Sequence, residues 1–81
     1  MENDNVIFSV GTKFEVVGWV MLKGLDDGCK YVVTIREDNV VQFARILKNG
    51  KKAKKQFAHY LSDMESSVNC KDRCLNHINI L

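Results

Sequence analysis

The 81-residue chain has no proline and no low-complexity tract, so nothing in it reads as an extended linker. Its apolar stretch at residues 16–22 is far short of the roughly 20 residues that a membrane-spanning helix needs. Three cysteines are too few, and odd in number, for a complete internal disulfide framework. Reduced thiols in a cytosol account for them most simply. The start, MENDNVIFSV, lacks the basic region and long apolar run of a signal peptide. The expectation is a soluble, cytoplasmic protein. No phosphate loop, paired-carboxylate motif or nucleophile–base set is readable, which argues against an enzyme. No cofactor is implied.

What is present suits one small domain. A hydrophobic fraction of 46% with 27% charged residues belongs to a globular chain. A domain of this size buries only about 60–65% of its unfolded surface, which leaves little room for a deep substrate cavity. Residues 1–5 read as a frayed start, and residues 6–81 as a single domain. The net charge of +2 hides an asymmetry. The first 40 residues carry four basic and seven acidic side chains, and the last 41 carry eight and three. Such a division hints at an acidic or polyanionic partner.

The pattern is mostly that of strands. Residues 6–10 suit a short strand. Residues 13–23 (KFEVVGWVMLK) suit a long one, with Phe14, Val16, Gly18, Val20 and Leu22 on one face and Val17, Trp19 and Met21 on the other. Gly18 within it signals a bend, a bulge or a close backbone approach. Trp19 and Met21 are expected in the core, because large apolar residues supply most of the core of so small a domain. Residues 29–36 form the next strand, with Cys29, Tyr31, Val33 and Ile35 as its apolar face. Residues 40–47 form another. Spacings of about ten residues describe an antiparallel meander.

Asn49-Gly50 signals a hairpin with a type I′ turn. Beyond it, helix and strand compete. Residues 53–66 lack glycine and proline, and Ala53, Phe57, Tyr60, Leu61 and Met64 make a helical stripe, so a helix is expected over a fourth strand. Residues 66–72 read as a loop and 75–81 as a closing strand. The fold class is therefore mainly β (α+β). The candidates are a small antiparallel meander or a Src-homology-3-like or oligonucleotide-binding-like barrel, with one short helix.

The densest chemical feature is KNGKKAKKQFAHY, residues 48–60. Lys48, Lys51, Lys52, Lys54 and Lys55 fall within eight positions, and Arg45 precedes them. On a hairpin they crowd the turn and both faces beyond it. Such a cluster can contact phosphates, and Tyr60 or His59 could stack on bases. Trp19 could do so only if it faced outward. The plainer account is that these lysines solubilise an exposed tip and guard a strand edge. No helix-turn-helix or zinc finger is visible.

Two other groupings weigh less. Cys70, Cys74 and His77 have metal-ligand residue types, with His59 or Cys29 as a possible fourth ligand, but the spacing lacks a paired-cysteine knuckle. They serve as well as small buried hydrophobes and a surface imidazole, and no metal is assigned. Asp26-Asp27 and Glu37-Asp38 could share one end of the meander and bind a cation, though ordinary turn chemistry accounts for them.

The functional expectation is a non-enzymatic binding module. Arg45, Lys48, Lys51, Lys52, Lys54, Lys55 and Tyr60 would contact nucleic acid. The alternative is a small inhibitor or adaptor that blocks a nucleic-acid-handling protein, a role common among small accessory proteins of viruses and mobile elements. No membrane partner is expected, and either a monomer or a homodimer is compatible with the chain.

Overall fold

The structure, a computed structural model, describes residues 8–69 and 76–81. The described residues form five strands and one helix: β1 (Lys13–Val17), β2 (Lys30–Glu37), β3 (Val40–Ile46), β4 (Lys52–Tyr60), α1 (Leu61–Asn69) and β5 (His77–Ile80). All strands join one sheet in the order β4-β3-β2-β1-β5, and every neighbouring pair is antiparallel. The mainly-β class and the meander are as the sequence predicts. Among the described residues the edges β4 and β5 do not pair with each other. Instead, α1 packs against both and closes one face of the sheet.

That inner face carries the core. One aromatic ring comes from each of β1, β2 and β3: Phe14, Tyr31 and Phe43, none with any exposed surface. Their centroids are 5.5–5.6 Å apart, Phe14 stacked on Tyr31 and Phe43 edge-on to both. Phe8 adds a fourth ring against Phe14. Val16, Val33, Val41, Met64 and Ile78 fill the gaps. Burying each such side chain is worth about 1.5–3 kcal/mol.

Several expectations need correction. The long strand at 13–23 ends at Val17. Gly18 turns the chain at φ 75°, and two side chains capture the next amides. The Gly18 N–H donates to Asp27 Oδ1 (2.8 Å) and the Trp19 N–H to Asn76 Oδ1 (3.0 Å). A side chain at position 18 would collide with Asn76, so the close approach signalled by this glycine is real. Past it the strand alternation lapses. Val20 and Leu25 turn into the core, while Trp19 (68% exposed) and Met21 (84%) point to solvent, contrary to the core role expected of them.

Ile35 does not share the face of Tyr31 and Val33. A bulge between Val33 and Ile35 shifts the register at Thr34 and sends Ile35 outward. The Asn49-Gly50 hairpin forms, but not as a type I′ turn. Its loop is residues 48–50, closed by Gly50 N–H donating to the Leu47 carbonyl (2.8 Å), and only Gly50 has positive φ. This is the three-residue solution, with the left-handed residue last.

The expected helix over 53–66 is half strand. The hairpin delivers residues 52–60 alongside β3, where pairing overrides their helix propensity. The helix begins at Leu61, whose N–H donates to the Asn39 carbonyl (2.6 Å), and runs through to Asn69, into the expected loop. The closing strand is present at 77–80. Of the expected strand at 6–10, residues 8–10 form no strand. Residues 1–7, including the start expected to fray, lie outside the described residues, as do Cys70 and Cys74. No described helix is long and apolar enough to cross a membrane.

Candidate functional site

In an antiparallel meander, alternate connections fall at opposite ends. The loop at 18–29 and the 48–50 hairpin therefore share one end, and the Asp38-Asn39 turn lies at the other. This separates Asp26-Asp27 from Glu37-Asp38, so the two acidic turns cannot join in a cation site. Asp26 and Asp27 are engaged locally, Asp26 with Arg45 and Asp27 with the Gly18 amide. Among the described residues no three His, Cys, Asp or Glu side chains group as metal ligands.

The lysines divide by the geometry of the hairpin. Lys48 and Lys51 sit at its exposed tip. On β4, Phe57 lies opposite buried Phe43 and His59 opposite buried Val41, so odd positions face inward. By alternation Gln56, Ala58 and Tyr60 face the sheet's uncovered side, and the register Ile46↔Lys52 puts Lys52 there as well; a bulge in β4 between these pairs interrupts the alternation at residues 53–55. Lys55 falls on the inner side, its Nζ 5.3 Å from the centre of the Phe57 ring. The expectation that these lysines crowd the tip and both faces is met.

Arg45 differs from the lysines. It is half-buried on β3, ion-paired with Asp26, and its guanidinium lies 5.8 Å from the centre of the Tyr31 ring. Its Nη2 also donates to the Tyr31 hydroxyl (3.5 Å). That hydrogen bond is the main cause of a raised Arg45 pKa, followed by the charge interaction with Tyr31. The Tyr31 hydroxyl itself donates to the Gly24 carbonyl and accepts from the Asp26 N–H, both at 2.9 Å. Arg45 thus helps to pin the 18–29 loop to this end of the sheet, with its charge engaged by Asp26.

The structure adds a cation that the local sequence pattern does not show. The register Tyr31↔Arg45 carries Lys30 to the end of the sheet where the hairpin stands. Lys30, Arg45 and Lys48 line one open cleft of about 620 Å³, with Gly28, Cys29 and Gly50 between them. No short motif joins residues 30 and 48. The meander with its turn at 37–39 does contain the information, because it makes the start of one strand face the end of the next.

Of the aromatic candidates, Tyr60 is 60% exposed on the uncovered side. His59 is not available for stacking on a ligand. Its ring stacks on Phe43 (5.9 Å between centroids), and its Nε2–H donates to the Lys23 carbonyl (2.7 Å). Trp19 faces solvent beside a groove of about 430 Å³ formed by its own loop. Among the described residues, the buried Nδ1 of His77 on β5 meets no hydrogen-bond partner, and the half-buried Cys29 forms no disulfide. No family, no curated protein and no solved structure matches the chain.

Proposed function

We propose that the protein is a non-enzymatic binding module whose basic end captures nucleic acid. The observation that carries this reading is the convergence of Lys30, from a separate strand, with Lys48 of the hairpin on one cleft. Lys51 and Lys52 adjoin it, and Lys54 extends the positive surface along β4. Capture is electrostatic: each phosphate contact releases counterions, so binding weakens as salt rises. Four contacts give a log–log slope of about −3 on a single strand. Arg45 contributes less than its position suggests, because Asp26 neutralises part of its charge.

The test is fluorescence anisotropy with labelled single-stranded DNA, duplex DNA and RNA, at low and near-physiological salt. The expected outcome is binding with that salt slope, lost when Lys51, Lys52, Lys54 and Lys55 are all changed to Glu. Absence of binding at low salt overturns the reading.

One observation favours the second reading, a small inhibitor or adaptor that docks on a nucleic-acid-handling protein. Trp19 and Met21 stand exposed on a loop that is tied down on both sides. An exposed tryptophan on a fixed loop has the character of an interface anchor. A candidate partner whose binding survives the four lysine changes but is lost in Trp19→Ser would favour this reading over the first.

A further inference from the structure

We propose that the uncovered face of the sheet is a track for single-stranded nucleic acid, with Tyr60 as its stacking platform. This rests on the nucleic-acid reading and names the substrate class within it.

The helix and the 18–29 loop both cover the inner face. The opposite face carries no covering element among the described residues. Along β4 it presents Lys52, Gln56, Ala58 and Tyr60. Positive charge stands at one end of the row and an exposed aromatic ring at the other. Lys52 and Tyr60 stand opposite Ile46 and Val40, six steps apart on β3, roughly 20 Å at the usual rise. That span suits a stretch on the order of four nucleotides, the lower limit for small sheet folds that bind single strands.

The row between its two ends suits a single strand. Gln56 is held upright: its Oε1 accepts hydrogen bonds from Thr34 Oγ1 (2.7 Å) and from Gln42 Nε2 (2.5 Å). This triad fixes amides on a face that base edges can meet. Ala58 is small, and beside it Val40, His59 and Tyr60 bound a hollow of about 320 Å³. A planar ring placed there rests on Tyr60. The register Glu37↔Val40↔Tyr60 sets a carboxylate two strands away on the same face. It repels phosphate from the Tyr60 end, so the ring there meets a base, while the lysines hold the backbone.

A paired duplex cannot use Tyr60 in this way, because its bases are already stacked on one another. The distinction from simple phosphate capture therefore lies in Tyr60. Trp19, on the loop that closes the inner side, takes no part.

The test compares labelled oligo-dT, oligo-rU and a duplex of equal length at one salt concentration. The proteins are the native chain, Tyr60→Ala and Tyr60→Phe, each checked for folding by circular dichroism. The expected result is tighter binding of single strands than of duplex. Tyr60→Ala should lose roughly tenfold on single strands and change little on duplex, while Tyr60→Phe keeps the ring and the affinity. If duplex binds as well as single strand, or if Tyr60→Ala leaves single-strand binding unchanged, the inference falls and the nucleic-acid reading stands. If no nucleic acid binds, both fall.

Discussion

Gly24 decides how the 18–29 loop lies against the sheet. It sits at φ 91°, and a Cβ there would come within 2.5–2.8 Å of three atoms of the Phe57 ring. Both features require a glycine: the backbone is left-handed, and the ring fills the place a side chain would take. Gly24→Ala should therefore cost about 2–3 kcal/mol, from left-handed strain plus overpacking. The midpoint of urea unfolding measures it. A loss below half a kcal/mol would mean that the loop can lift from Phe57 freely. The hydrogen bonds of Tyr31 to Gly24 and Asp26 argue that it cannot. At this scale the sequence is partly legible. A glycine inside a strand-like run signals a close approach, and Gly18 has one. The partner, Asn76, lies 58 positions away, and nothing local could name it. Trp19 was misread because its inward position depended on the strand continuing, and a glycine-terminated strand has no alternation to continue.

The border between β4 and α1 shows why an element's type can be hidden when its faces are not. Ala53 and Phe57 are four residues apart, a spacing that satisfies both the helical period and the period of two. Phe57 therefore faces the core in either case, whereas Tyr60, seven positions from Ala53, fits only the helical period, and in the strand it turns outward, 60% exposed. Asn49-Gly50 held the deciding information, because a hairpin there must return the chain beside β3 whatever its helix propensity. The helix starts only at Leu61, and its apolar positions are Leu61, Met64 and Val68. Met64 is fully buried and is the main side chain by which α1 closes the inner face. Met64→Ala is expected to destabilise the protein by about 2–5 kcal/mol, as for other buried methionines. Chemical denaturation reads the loss. A cost under 1 kcal/mol would show that the helix rests on the sheet without sealing it. The bulge at Thr34 belongs to the same scale. It moves Ile35 outward, yet also brings Thr34 into reach of Gln42 and Gln56. A regular alternation of apolar residues gives no warning of a bulge.

For the molecule as a whole, the open question is what the lysines of β4 are for. A nine-residue strand at the edge of a sheet offers unpaired backbone groups to any similar chain. Lys52, Lys54 and Lys55 place charge on both faces of that edge, which is how natural sheets discourage edge-to-edge pairing. The same residues supply the nucleic-acid reading, and the site could be read from the sequence only as far as this ambiguity. The two roles separate in a variant that removes charge without adding the opposite sign. Lys52, Lys54 and Lys55 changed together to Gln keep length and polarity and leave the hairpin tip intact. If edge protection is their main role, the variant should self-associate, with a concentration-dependent rise in sedimentation coefficient that the native chain does not show. If phosphate contact is their main role, it should sediment as the native chain does and lose affinity for nucleic acid, with a shallower salt slope by about 0.7 per contact removed on a single strand. Since Lys52, on the uncovered face, is the β4 cation that the track requires, the expected result is lost affinity with unchanged sedimentation. Self-association with full affinity would instead assign these lysines to the edge and leave Lys30, Lys48 and Lys51 as the cations that bind.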